Sequence, residues 1–194
     1  HELMDLKIDY AFKQLFGNPK NSRILITFLN AMLERTETEP ITSVSFENTE
    51  LSAEHPEDKK SRLDIMATTN DQRKINIEIQ FTDKHDMINR TLYYWSRIYG
   101  GQMQAGQSYK DLHQTIVINI LNYNLLRKET DKFHTTFHLH EDEEQFRLTE
   151  TMEVHFVEMR KLLVKWKRQQ LNPHEDLLVR WLLLLGAVDS KNKT

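Results

Sequence analysis

The stretch RLDIMATTNDQRKINIEIQ, residues 62–80, holds two short runs of alternating apolar and polar residues, and each run places a carboxylate on its polar side. In the first run Leu63, Ile65 and Ala67 fall on one parity, and Arg62, Asp64 and Met66 on the other. In the second, Ile75, Ile77, Ile79 and Phe81 share a face opposite Lys74, Asn76, Glu78 and Gln80. A period of two puts alternate residues on opposite faces of a strand. The intervening TTNDQ is rich in turn formers, so the simplest arrangement is an antiparallel hairpin. Asp64 is then expected close across the ladder from Glu78.

Like charges at cross-strand distance repel. At an effective dielectric near 20, two carboxylates roughly 6 Å apart cost about 3 kcal/mol. A cation between them removes that cost. Carboxylates, an amide oxygen and waters suit a hard divalent ion, Mg²⁺ or Mn²⁺, better than a soft or nitrogen-preferring one. The plainer alternative is a solvated sheet face, with Asp64 and Glu78 in water beside Arg62 and Lys74. Spacing alone leaves both open.

The 194 residues fit one domain with a sizeable core, and 39% hydrophobic with 28% charged content is typical of a soluble globular protein. There is no cysteine, which removes disulfides and thiolate zinc sites. The longest apolar run, WLLLLGAV at 181–188, falls far short of the roughly 20 residues a bilayer crossing needs, so no membrane association is expected. The opening HELMDLK lacks the basic-then-apolar layout of a secretory signal. A cytoplasmic location is the expectation. His1 in place of Met reads as a cloning remnant, and the polar end DSKNKT as a point of truncation. A net charge of −3 argues against a broadly basic surface. Local runs remain: RKLLVKWKR at 160–168 holds five bases and EDEE at 141–144 four acids. The absence of a GxxxxGK loop argues against an ATP-driven motor.

Outward from the hairpin, residues 5–34 carry apolar residues at helical steps: Ile8, Phe12, Leu15 and Phe16, then Ile24, Phe28 and Leu29. FGNPKN at 16–21 breaks them into two helices. ITSVSFEN at 41–48 has strand composition, and LSAEHPEDKKS at 51–61 reads as a polar loop. Beyond the hairpin, TDKHD offers helix caps, and MINRTLYYWSRIYGGQMQAG is expected to be a helix with Ile88, Leu92, Trp95, Ile98 and Tyr99 on its apolar stripe. The Gly100–Gly101 pair should weaken or bend it. TIVINIL at 115–121 is the kind of continuous apolar run that marks a strand buried on both faces, usually parallel to a neighbour. FHTTFHLH at 133–140 and MEVHFVEM at 152–159 read as two more strands, and a final helix is expected over about 174–188, opened by Asn172 and Pro173. The whole reads as one mixed α/β domain with a C-terminal extension.

Helix, strand, hairpin, helix and buried strand, with one acid on the second strand and an acid-x-polar pair on the third, resembles the αβββαβ core of the PD-(D/E)XK nuclease superfamily. The blocks DYAFKQLFGNPKNSRILITFLNAML, RLDIMATT, INIEIQ, RTLYYWSRIYGGQMQAGQSY and EVHFVEM are similar, in order, to those of the PD-(D/E)XK family transposases, also called recombination-promoting nucleases. The resemblance implies a restriction-endonuclease-like mixed sheet flanked by helices. Residues 1–125 would form the core, and 126–194 a β-hairpin and helix extension packed on the same domain. It implies a Mg²⁺- or Mn²⁺-dependent DNA endonuclease in which Asp64 and Glu78 hold the metal, with the backbone carbonyl of Ile79 as a further ligand and Asp9 on the first helix as a candidate one. Gln80 stands where the superfamily has lysine. Being neutral, it can orient a water or complete the metal shell but cannot act as general acid or base. Leu63 replaces the superfamily's proline. The positive charge left unassigned falls to Lys13, Lys74, Arg90 or Arg97, of which the arginines suit phosphate best. Solvated charges on an amphipathic helix would explain the arginines equally well. A homodimer is expected if both strands are cut. The rivals are a catalytically silent binding module of the same fold and a nuclease acting on RNA.

Two further groups bear weighing. His134, His138 and His140 share parity on one strand, but three ligands along one strand rarely converge on a zinc ion, and a solvated strand is the expectation. Tyr93, Tyr94, Trp95 and Tyr99 are of a kind that stacks on bases, though their helical spacing with Ile and Leu favours a place in the core.

Overall fold

The computed structural model describes residues 2–34, 39–51 and 61–190. In chain order the elements are α1 (Glu2–Phe16), a single 3-10 turn (Pro19–Asn21), α2 (Ser22–Leu33), β1 (Val44–Phe46), β2 (Glu50–Leu51), β3 (Ser61–Arg62), β4 (Ile65–Thr69), β5 (Lys74–Gln80), α3 (Met87–Gly100), a second 3-10 turn (Tyr109–Asp111), β6 (Thr115–Leu121), β7 (His134–Phe137), β8 (Met152–Glu158), α4 (Met159–Lys167) and α5 (Leu177–Ser190). Most of the polar loop expected at 51–61 lies outside the described residues.

The expected hairpin forms. β4 and β5 pair antiparallel with Ile65 opposite Ile77 and Thr68 opposite Lys74. β6 adds parallel to β5, and β8 parallel to β6. The six-stranded mixed sheet runs β1-β4-β5-β6-β8-β7, with β2 and β3 as a separate ribbon. Every residue of β6 is buried, as its unbroken apolar run requires. The two C-terminal strands pair antiparallel as the expected hairpin, β7 with β8, and β8 also joins the main sheet parallel to β6.

Alternation divides the sheet into two differently covered faces. Ile65, Ala67, Ile75, Ile77, Ile79, Ile116, Ile118, Ile120 and Val157 turn one way and pack under Phe12, Phe16, Phe28, Leu29, Leu162, Val179 and Leu182 from α1, α2, α4 and α5. Rings knit these helices together: Phe16 lies 4.8 Å from Phe28, and Trp181 meets both edge-on at 5.9 and 6.4 Å. The opposite face lies under α3, in two small clusters, Leu63, Met66, Tyr94 and Ile98, and Met87, Leu121, Tyr123, Val154 and Phe156.

α3 has the expected period but a different phase. Met87, Thr91, Tyr94 and Ile98 are buried, whereas Ile88 and Leu92, expected on the buried stripe, are exposed. α3 runs along β6, where the Trp95 indole N–H donates to the Thr115 carbonyl at 2.9 Å, and this docking turns Tyr94 onto Met66 and Leu63. The helix ends at the glycine pair, with Gly101 N–H donating to the Arg97 carbonyl at 2.9 Å. α4, unforeseen in the sequence, follows β8 without an intervening loop. α5 begins three residues later than expected. Among the described residues, no helix is long and apolar enough to cross a membrane.

Candidate active site

Extending the β4–β5 register by one residue sets Asp64, just before β4, opposite Glu78. Their sheet face is not solvated. α3 covers it, Glu78 and Asn76 are wholly buried, and the Asp64 side chain is only 15% exposed. The pairing with Arg62 and Lys74 in water is therefore overturned. Lys74 instead donates to Glu47 and Thr68, both at 2.7 Å, at the far end of β5 from Glu78.

Asp64 is held at three points. The Ile79 N–H donates to its Oδ2 at 2.9 Å, its Oδ1 lies 3.2 Å from the Lys13 ammonium, and its own N–H donates weakly to Glu78 Oε1 at 3.4 Å. Lys13 also donates to Asp9 at 2.7 Å, so the first-helix acid joins the site through the lysine. Burial alone would lower the Lys13 pKa, but the two carboxylates outweigh it, and the ammonium is held above its ordinary range.

Glu78 differs. Its Oε1 accepts from Asn76 Nδ2 at 3.2 Å, while the buried Oε2 has no hydrogen-bond partner among the described residues. Burial first, then the neighbouring Asp64 charge, push the Glu78 pKa up to about 9, with Asn76 and Arg90 pulling the other way. A carboxylate so placed needs a proton or a cation.

Above the pair, Arg90 on α3 feels both carboxylates. Its Nε donates to the Tyr94 hydroxyl at 3.0 Å, and its guanidinium carbon lies 5.2 Å from the Tyr94 ring centroid. Burial comes first in raising the Tyr94 pKa, opposed by Arg90 and reinforced by Glu78 and Asp64. Tyr94 thus stands beside the carboxylate pair on the face of α3 that it shares with Arg90, four residues earlier, and Arg97, a face distinct from the expected apolar stripe. Arg97 stands two turns further along the same helix. Gln80 ends β5, half-buried on the Glu78 face.

The donor set can be tested against a metal. Asp64 and Glu78 offer hard oxygens, one of them buried and unpartnered. In an antiparallel ladder a residue's N–H and C=O point to the same edge, so the Ile79 carbonyl lies on the edge from which Ile79 N–H reaches Asp64. No group of three His, Cys, Asp or Glu able to hold an ion occurs among the described residues. Two carboxylates with waters fit Mg²⁺, which keeps several of its waters, better than a fully protein-caged ion.

The histidine strand is also corrected. His138 is buried with its Nε2 3.1 Å from Glu153, and His134 Nε2 lies 2.8 Å from His155 Nδ1, while His155 Nε2 meets the other Glu153 oxygen. Glu153 and His155 project to the face opposite Glu78, in register with Ile116 and Ile118. This buried polar chain was not foreseen, because its members lie on two strands far apart in sequence.

No curated protein and no solved structure matches the chain. A sequence model described as PD-(D/E)XK nuclease family transposase matches residues 6–194, a span that includes the paired acids, the α3 arginines and the last sheet strand, and the chain belongs to that family.

Proposed function

We propose that the protein is a Mg²⁺- or Mn²⁺-dependent endonuclease that hydrolyses DNA phosphodiester bonds. Family membership gives the coarser role, a nuclease or transposase-like protein. The observation that carries the finer reading is the buried, unpartnered Oε2 of Glu78 directly across from Asp64. In this reading Asp64, Glu78 and the Ile79 carbonyl would hold the cation, with Asp9 on the first helix as a further candidate ligand. A divalent ion held there supplies Lewis-acid activation of an attacking water and neutralises charge growing on the phosphoryl oxygens.

The chain's own residues supply the rest. Lys13 and the Ile79 N–H hold the Asp64 carboxyl group in place. Glu78 would hold the cation as a carboxylate, its charge then compensated by the metal instead of by a proton. Gln80, on the same face, orients the attacking water by hydrogen bonding, since an amide can donate and accept without changing charge. Arg90, steadied by Tyr94, meets the phosphate, and Arg97 extends the contact along α3. Lys13 supplies the positive charge that the Gln80 position lacks. Lys74, engaged by Glu47 and Thr68, is left out of the phosphate contacts.

The test is nicking of supercoiled plasmid by purified protein with Mg²⁺, with EDTA, and with a Glu78→Gln variant checked for folding by circular dichroism. Cleavage that needs both the metal and Glu78 supports the reading. Cleavage of RNA alone under the same conditions would redirect it, and no cleavage of either would leave a binding module.

A further inference from the structure

The ten residues 159–168 contain Arg160, Lys161, Lys165, Lys167 and Arg168 and no acid, in a chain of net charge −3. They form α4 and its C-terminal cap. Two of the five bases have structural employment. Lys161 donates to the Leu126 and Thr130 carbonyls and to Glu158, and Lys165 to Asp131. Arg160, Lys167 and Arg168 are exposed and have no ion pair among the described residues. Helical spacing places these three with exposed Val164 on one face, opposite the buried Leu162.

The helix dipole accounts for cations at the C-terminal end, where Lys167 and Arg168 stand. It disfavours Arg160, which sits in the first turn. Glu158, the nearest acid in sequence, does not answer it, because its oxygens accept from Leu125, Leu126 and Lys161. A cation kept at the wrong end of a helix without an acid points to a ligand outside the chain.

Position narrows the ligand. Gln80, Leu121 and Glu158 stand in register across β5, β6 and β8, so α4 starts at the level where the site strand ends. Met159 and Leu163 line a cavity of about 80 Å³ together with Ala11, Phe12 and Ile79. That cavity seats α4 beside α1, the helix that carries Lys13, on the sheet face opposite α3. Arg160, next to Met159, therefore stands at the level where the carboxylate strand ends, and Lys167 and Arg168 carry the positive charge onward along α4. From Arg160 to Arg168 the helix rises about 12 Å, the rise of three or four base pairs.

We propose that the exposed face of α4 bearing Arg160, Lys167 and Arg168 is a second nucleic-acid-binding surface, gripping the phosphate backbone of duplex DNA beyond the carboxylate pair. The proposal rests on the nuclease reading for its choice of ligand. Three phosphate contacts add a sequence-independent, salt-sensitive component to binding and leave the chemical step alone.

The experiment is fluorescence anisotropy of the full chain with a labelled DNA duplex several turns long, in EDTA, over a salt series. A triple variant, Arg160→Gln, Lys167→Gln and Arg168→Gln, is compared with a charge-matched control, Lys20→Gln, Lys110→Gln and Lys128→Gln. The α4 variant is expected to bind at least about tenfold more weakly and to flatten the slope of log affinity against log salt by about 2 to 3, with single-turnover cleavage at saturating DNA unchanged. Wild-type affinity and slope in the α4 variant, an equal loss in the control, or failure of the wild type to bind duplex would each overturn the surface. So would a variant that binds DNA normally but changes its sedimentation, which would assign the face to protein contact. Binding through α4 without Mg²⁺-dependent cleavage would sink the nuclease reading and leave the surface standing. Cleavage with an indifferent α4 variant would do the reverse.

Discussion

Glu78 is buried beneath α3, with one oxygen bonded to Asn76 and the other to nothing among the described residues, and its pKa stands at about 9 rather than near 4.5. A carboxyl that is a weaker acid in the fold than in the unfolded chain contributes stability that is fully present below the unfolded value and is lost as pH rises towards the folded one. Without divalent metal, this residue should lower stability between about pH 4.5 and 9, by at most about 1.4 kcal/mol per pH unit. Glu78→Gln, which cannot ionise, should melt at a higher temperature than the wild type in EDTA at pH 8, with the gap closing towards pH 5. Thermal melts across that range check it, and a gap independent of pH would refute it. The same argument makes metal affinity pH-dependent, since the cation must displace a proton. Mg²⁺ should raise the wild-type melting temperature more at pH 8 than at pH 6, and should not move that of Glu78→Gln.

At the scale of elements, the strands of the main sheet were legible, the β2–β3 ribbon was not, and the helices were only partly so. β4, β5 and β6 announce themselves because strand alternation and an unbroken apolar run are local signals. The Asp64–Glu78 pairing followed from the same parity. What parity could not say was whether the polar face met water or a helix, and α3 decided that. Its phase was misread because sequence reading assigns the buried stripe to the most apolar residues, Ile88 and Leu92, whereas the floor beneath the helix carries Asn76, Glu78 and Asn119 and accepts Thr91 and Tyr94. α4 was missed because no turn residue separates it from β8, and its basic run masks the short apolar repeat of Met159 and Leu162. The phase is testable: Leu92→Ala should change stability by no more than about 0.5 kcal/mol, while Ile98→Ala should cost about 2–5 kcal/mol, measured by urea unfolding. On the proposed nuclease reading, removing only the hydroxyl with Tyr94→Phe should weaken DNA binding several-fold through loss of the Arg90 bond, which is worth about 1 kcal/mol. Its far-ultraviolet circular dichroism should match the wild type. Unchanged affinity would show that Arg90 needs no such support.

Over the whole molecule, the last third of the chain is woven into the fold that holds the site. β8 lies between β6 and β7, Leu178, Val179 and Leu182 complete the core over the isoleucines of β5 and β6, and Trp181 meets Phe16 and Phe28. Phe16 ends the helix that carries Asp9 and Lys13, so packing at the C-terminal helix bears on the carboxylate site. A segment that merely leaned on an independent core would unfold separately, whereas one that shares the sheet and the core should unfold with it. The three tryptophans allow a direct test, because Trp95 reports on α3 and Trp181 on α5. Variants keeping only one of these as a fluorophore, with the other tryptophans replaced by phenylalanine, should show the same urea midpoint as each other and as their own circular dichroism. An earlier transition at Trp181 than at Trp95 would mean that residues 126–194 fold as a separate unit. Coincident transitions would mean that Lys13, Asp64 and Glu78 stay in place only while both ends of the chain are folded, so mutations in α5 far from the carboxylates would disrupt the carboxylate site by depleting the folded state.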